Sequence, residues 1–322
     1  METSDGDQVS ASRTTGRKIA RVAGWLLPII CLGFLVHRFT KEADSLPAMA
    51  WTVRSASALF AAGALVVVIE AVHALGWRTL ARSFQPSITW RDSFVLCGVS
   101  QIAKYLPGNA FHYVQRFALA RDRGMDAIAA SAVIAMDAVL ILIAGVLVGV
   151  PALTAPVRGA AAGAFQEPFR LFLFGLGIVL LILVAGYAGR DRLERGLRLV
   201  GPLLSGRRLA LATMVNVTLF AFAGATVALV LHGFWPGSSS LGWSDFVSGF
   251  ALAFVAGFVT PGSPGGIGVR EAILVALYEP TLGASLAVVL FVMVRLAFIL
   301  GDCLTFGAAF LLRRPLMAYR SA

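Results

Sequence analysis

The sequence predicts an all-α polytopic membrane protein with six transmembrane helices and two re-entrant helical hairpins, arranged as two inverted-topology repeats. Three observations carry this. First, hydrophobic residues make up 58% of the 322 residues and charged residues only 14%, with a mean hydropathy of +0.82; a soluble domain needs about 25% charged residues to cover its surface. Second, apolar runs fall near 19–38, 55–77, 93–112, 127–150, 169–188, 209–232, 246–260, 265–279 and 284–312. A span needs about 20 residues, which six of these runs supply; the other three belong to two interrupted regions. Third, the basic residues divide unequally between the loops on the two sides.

In chain order, residues 1–18 are polar, lack an apolar face and read as a disordered cytoplasmic tail. The first apolar run has no small-residue cleavage site after it and reads as a span, not a removable signal. The second span carries Glu70 and His73. Between Asp92 and Arg123 the segment QIAKYLPGNAFHYVQR contains Pro107 and Gly108. Proline lacks the amide donor and glycine lacks restraint, so the helix breaks there. The region has too few residues for two crossings, so it enters, turns and leaves on one side. A span with Asp137 follows, closing a first repeat of about 19–152. The second repeat, about 169–312, has two further spans and then Ser244 to Pro280, broken from Pro261 through Pro264 to Gly268. A last span carries Arg295 and Asp302, and residues 313–322 form a cytoplasmic tail. Residues 19–312 form a single membrane domain. Non-helical backbone at membrane depth persists only where protein or a wet cavity satisfies it, so both turns are expected to be buried or to line a cavity.

With the N-terminus inside, 18 of the 27 Lys and Arg fall in cytoplasmic segments, five fall outside, and Arg21, Lys104, Arg270 and Arg295 lie within apolar stretches. This bias places both termini in the cytoplasm of the inner, or cytoplasmic, membrane. It also accounts for the net charge of +10 without a nucleic-acid partner. Each half reads span, span, hairpin, span. Three spans per half turn the second half upside down, a pattern found in transporters with broken helices near the midplane. Pro107-Gly108 is followed by Val114 and Arg116, as Pro264-Gly265 is followed by Val269 and Arg270.

An ionisable residue within a span costs at least about 2.5–3.5 kcal/mol and points to a function. Arg270 and Glu271 follow directly on PGSPGGIGV. Glycines 265, 266 and 268 let a helix begin with bare N–H groups, and an arginine there adds a forked donor suited to phosphate or carboxylate. The structural alternative pairs Arg270 with Glu271, Glu70 or Asp137. Lys104 and Arg116 flank the first break; Lys104 either meets an anionic group or snorkels to the interface. Asp137 and Arg295 hold similar positions after the two hairpins and are candidates for an ion pair between repeats. Glu70 and His73, spaced i and i+3, share a helix face. With Asp137, Glu271 and Arg295 they are candidates for coupling or counter-charge. His73 and His112 are candidates for carrying protons; the alternatives are a histidine that is only hydrogen-bonded and, for His112 beside Tyr113, one that faces a wet vestibule. Cys31, Cys97 and Cys303 lie in apolar stretches without metal-ligand spacing. No metal site, cofactor, Walker loop or catalytic motif is read from the sequence.

The elements PGSPGGIGVRE and KYLPGNAFHYVQR together resemble the P-G-G-x-G-x-R-E signature and the K-Y-x-P-G-x-x-x-x-x-x-x-R element of the lysylphosphatidylglycerol synthase transmembrane-region family, also called flippase-like proteins. The resemblance covers roughly residues 20–312. It falls on Lys104, Pro107, Gly108 and Arg116, then on Pro264, Gly265, Gly266, Gly268, Arg270 and Glu271. The chain departs from the commoner pattern at His112, Tyr113 and Gln115. Two-part members of the family carry a soluble domain that makes the aminoacyl-lipid from charged tRNA, and no stretch of this chain is expected to form that domain. The resemblance implies a translocator of a membrane lipid or lipid-linked substrate, with an anionic head group held at the hairpin site by Lys104, Arg116 and Arg270. The alternatives are an intramembrane lipid-modifying enzyme, or a non-catalytic membrane subunit of a glycosyltransferase or lipid-synthesis system.

Overall fold

The structure is a computed structural model, and it describes residues 51–106, 111–154, 201–203, 205–238, 241–260 and 264–313, with isolated positions 33, 37 and 40. The described residues form eight α-helices: α1 (Val53–Ala81), α2 (Trp90–Gln101), α3 (Phe111–Asp122), α4 (Ala127–Thr154), α5 (Gly206–Phe234), α6 (Trp243–Val259), α7 (Val269–Leu282) and α8 (Ala284–Leu311). No strand occurs among them. Helices α1, α4, α5 and α8 are long and apolar enough to cross a bilayer, and the chain is a multi-pass membrane protein. The expected span at 19–38, apart from positions 33 and 37, the expected span at 169–188, and the terminal tails at 1–18 and 314–322 lie outside the described residues.

Local sequence fixes where these helices start. Thr52 caps α1, accepting from the Ser55 amide at 3.2 Å while the Ser55 hydroxyl accepts from the Thr52 amide at 2.9 Å, a reciprocal cap. Asp126 accepts from the Ile128 amide at 2.8 Å at the head of α4, and that bond holds its carboxyl below the usual range. Along α1 one face is buried through Ala62, Val66, Ile69 and Trp77, while Phe60, Val68 and Leu75 are exposed, as a lipid-facing stripe requires. Glycine decides how closely α1 meets α8: a Cβ at Gly301 would stand 2.6 Å from the Gly63 carbonyl, so the crossing is a small-residue contact of the kind membrane helices use.

The two interrupted regions are helix–break–helix units. Helices α2 and α3 have 12 residues each, about 18 Å against the about 30 Å of a hydrocarbon core. Helices α6 and α7 have 17 and 14 residues, still short of that span. In each unit the two arms pack on each other, and the 3₁₀ turns at Ile102–Tyr105 and Pro264–Gly266 touch. Pro264 thus begins a turn; Pro107, Gly108 and Pro261 lie outside the described residues.

Helix packing obeys a two-fold rule. Exchanging α1–α4 for α5–α8 maps α1·α2 onto α5·α6, α2·α3 onto α6·α7, and α3·α4 onto α7·α8. It likewise maps α4·α6 onto α8·α2, α4·α5 onto α8·α1, and α1·α4 onto α5·α8. The contact between α1 and α5 maps onto itself. Even hydrogen bonds repeat. Trp90 opens α2 and donates its indole N–H to Ala71 O at 3.1 Å; Trp243 opens α6 and donates to Ala221 O at 3.3 Å. Each tryptophan stands two residues before an acidic cap, Asp92 or Asp245, that accepts from the N-cap amide. One apolar cluster, including Trp77, Leu96 and Val133, surrounds α2 and α3, and another, including Phe246, Val275 and Phe291, surrounds α6 and α7. Between the clusters lies a layer of buried polar side chains, where the two turns meet.

Candidate functional site

That polar layer is built by six helices and the two turns. Helix α1 contributes Glu70 and His73, α2 Gln101, the first turn Lys104 and Tyr105, α3 His112 and Arg116, α4 Asp137, the second turn Gly265, α7 Arg270 and Glu271, and α8 Arg295 and Asp302. Arg116, 2% exposed, donates from Nη1 to Asp137 Oδ2 at 3.2 Å and from Nε to Ser100 Oγ at 3.2 Å. Asp137 also meets His73 Nε2 at 3.0 Å through Oδ2. The other face of the His73 ring places Nδ1 3.7 Å from Glu70 Oε2, and Gln101 donates to Glu70 Oε1. Arg116, Asp137, His73, Glu70 and Gln101 thus form one continuous chain across the four helices α1 to α4.

A second group lies on the other side of the turns. Glu271 accepts from the Gly268 amide at 2.8 Å, closing the cap of α7, and its Oε1 is 3.3 Å from Arg295 Nη1. Arg295 also donates to Gly265 O at 3.3 Å. Lys104 Nζ stands 2.8 Å from Asp302 Oδ2, and Tyr105 donates its hydroxyl to the same oxygen. The Tyr105 ring lies 5.4 Å from Lys104 Nζ and 5.5 Å from the Arg295 guanidinium carbon. Lys104 therefore does not snorkel; it ties the first turn to α8. The expected pair between Asp137 and Arg295 does not form. Each is engaged within its own half, Asp137 by Arg116 and His73, Arg295 by Glu271, because the arm next to each supplies a nearer opposite charge.

Arg270 differs from these cations. Among the described residues it makes no ion pair, and its buried Nε has no hydrogen-bond partner. Its guanidinium lies over the Phe254 ring at 4.3 Å from the centroid. The three pairings expected as its structural alternative are absent, since Asp137 and Glu271 are taken and Glu70 is held by Gln101 and His73. Gly257 and Gly266 give it room, and Gly265 does the same for Arg295. Gly265 and Gly266 have φ of +57° and +74°, left-handed values that side chains resist. A Cβ at Gly266 would collide with Arg270 Nε, and one at Gly265 would stand 3.3 Å from Arg295 Nη2.

Arg270, Lys104, Arg116, His73, Glu70 and Asp137 all line one cavity of about 130 Å³. His112 and Tyr113 line it too, their rings 3.8 Å apart. Its other wall is aromatic, with Phe220, Phe250, Phe254, Phe258 and Phe298. This wall and Gln101, Ser100 and Tyr105 were not read as site residues from the sequence. Phenylalanines on apolar helices carry no mark of which face they take, and the polar residues beside Lys104 gain partners only once α1, α3 and α8 converge.

The profile of the family described as "Lysylphosphatidylglycerol synthase TM region" matches residues 16–301. The chain belongs to this family. The matched range contains every residue of the cavity wall. No curated protein matches the chain. Family membership makes the protein a lipid-related membrane protein, and the paired glycine-rich and lysine-bearing elements that carry the resemblance are the two turns that touch at the centre of the fold.

Proposed function

We propose that this protein translocates a membrane lipid or lipid-linked substrate, receiving its anionic head group between the two turns while the apolar chains stay in lipid. The observation that carries the reading is Arg270: a guanidinium lining a cavity, without an ion-pair partner among the described residues, beside an aromatic wall. A forked cation held apart from carboxylates suits a phosphate or carboxylate. Arg116 and Lys104 line the same cavity beside it, and Gly265, Gly266 and Gly268 admit the head group to backbone N–H groups.

The accompanying topology is six spans and two re-entrant hairpins in an inner membrane, with both termini cytoplasmic. Repeats of about 19–152 and 169–312 are related by inversion. The two-fold contact pattern supports the repeats, and the short arms of α2, α3, α6 and α7 support re-entry. Alternating access then comes from one repeat rocking on the other, with Lys104–Asp302 as a contact that breaks. Glu70, His73 and Asp137 serve as counter-charge or proton coupling. A lipid-synthesis or glycosyltransferase system supplies the substrate.

The test is head-group accessibility in proteoliposomes with labelled anionic and zwitterionic lipids, native chain against Arg270→Ala. Faster exchange of an anionic lipid, lost in the variant and with lipid mass unchanged, supports translocation. No exchange of any lipid by a folded native chain overturns autonomous transport, and a changed lipid mass moves the reading to an enzyme.

A further inference from the structure

We infer that the space between the first turn and helices α7 and α8 is also a binding site for one small monovalent anion of chloride size, separate from the head-group cavity. A second cavity of about 30 Å³ lies there, lined by Lys104, Tyr105, Arg270, Glu271 and Arg295 among others. A single water needs roughly 10–15 Å³ by this measure, so the space admits a halide or a few waters. It excludes a phosphodiester with both of its substituents.

Charge selects between those occupants. Three cations, Lys104, Arg270 and Arg295, face two carboxylates: Glu271, which lines the cavity, and Asp302, which holds Lys104 from behind. One positive charge is left over around this cavity, since the remaining carboxylate, Glu70, lines only the larger one, and an uncompensated buried ion is strongly unfavourable. Hydrogen bonding points the same way. Arg270 Nε, Arg295 Nε and Arg295 Nη2 are buried N–H donors without a partner, and leaving such donors unmade is costly. All three donors belong to the two guanidiniums that the left-handed turn at Gly265 and Gly266 draws in: a Cβ at either glycine would crowd Arg295 Nη2 or Arg270 Nε. Water would satisfy the donors but leave the charge. A small anion does both. Arg270 lines both cavities, so the anion fixes it from one side while the other side stays open to the larger cavity.

The test uses the purified full chain in a non-ionic detergent, with thermal unfolding followed in sodium chloride, bromide or gluconate at one ionic strength. In the native chain, chloride and bromide should raise the midpoint saturably, by roughly 2–4 °C at ten times the dissociation constant, and gluconate should not. Glu271→Gln leaves two uncompensated charges and can still cap α7, so its halide affinity should rise about tenfold or more. Arg295→Gln removes the surplus charge, and the halide response should vanish. Equal midpoints in chloride and gluconate for both the native chain and Glu271→Gln overturn the site, as does a halide response that persists in Arg295→Gln. Bromide displaced by an added phospholipid, with the same midpoint shift, assigns the site to the head group and also overturns it. The readout contains no transport step, so loss of the halide response leaves the translocation assay to stand or fall separately.

Discussion

Gly257→Ala isolates the role of Arg270 without touching it. Gly257 lies inside α6, where alanine is favoured over glycine by roughly 0.5–1 kcal/mol, so backbone propensity alone predicts a more stable protein. A Cβ there would stand 2.6 Å from Arg270 Cγ, 3.0 Å from Nε and 3.3 Å from Cδ. The contact is near the root of the side chain, so rotating the tip does not relieve it. Arg270 must leave its place over Phe254, giving up a cation–π contact of about 0.5–2 kcal/mol. The two effects offset, and the unfolding free energy should change by less than about 1.5 kcal/mol. Transport should not survive the move. A charge-assisted hydrogen bond contributes about 1.5–3 kcal/mol, which is roughly a 10- to 150-fold loss of rate if it is made in the rate-limiting state. Two further glycines serve as controls. Gly266→Ala pushes on the same side chain and adds the strain of a side chain at φ +74°; it should lose transport and about 1–2 kcal/mol of stability. Gly124→Ala has a similar φ of +81° but open space around it, so it should lose the same stability and keep transport. The assay is head-group exchange in proteoliposomes beside thermal unfolding. Native-rate exchange by Gly257→Ala, with Gly266→Ala inactive, would assign the loss to backbone strain and refute the role given to Arg270.

Asp137→Asn strips a buried Arg116 of its carboxylate and should destabilise by about 3–5 kcal/mol, much of it recovered when Arg116→Met is added; a single-variant loss under 1 kcal/mol by thermal unfolding contradicts the pairing. Trp90→Phe and Trp243→Phe each remove one indole N–H bond to the preceding span, and should lower stability by similar amounts of about 0.5–1.5 kcal/mol. A large effect at one and none at the other would argue against equivalent halves. In a chain whose Cys31, Cys97 and Cys303 are replaced by Ala, Trp51→Cys should react with an impermeant thiol reagent from outside and Ser205→Cys from the cytoplasmic side; labelling of both from one side rules out the proposed topology.

The spans were legible because a long apolar run has one use in a chain with so few charges, and the breaks were legible because Pro and Gly act locally. Helices α1, α4, α5 and α8 follow the apolar runs at 55–77, 127–150, 209–232 and 284–312 within a few residues. The pairing of charges was only half legible. Glu70 and His73 share a face by spacing alone, and meet. Asp137 with Arg116, and Arg295 with Glu271, needed the packing of α3 on α4 and of α7 on α8, which no local pattern encodes. The similar positions of Asp137 and Arg295 after the two interrupted regions suggested that they pair with each other, and they do not. The one repeat signal that hydropathy could not show is T-W-R-D at 89–92 against G-W-S-D at 242–245. Its meaning, a tryptophan bonded back to the preceding span above an acidic cap, emerges only with the helices in place.

The two halves keep a charge pair at the same place and reverse its sign. In the first half the hairpin arm supplies the cation, Arg116, and the following span the anion, Asp137. In the second half the arm supplies the anion, Glu271, and the span the cation, Arg295. Lys104 and Asp302 then join the halves. These three pairs neutralise themselves, so the field inside the larger cavity comes chiefly from what remains: Glu70 on α1 and Arg270 on α7, both in its wall. With these three pairs closed, Glu70 remains on α1 and Arg270 on α7, so the cavity carries opposite charges in its wall. Under the proposed function, a head group entering it would meet an attractive end and a repulsive one, and its phosphate would be oriented toward Arg270.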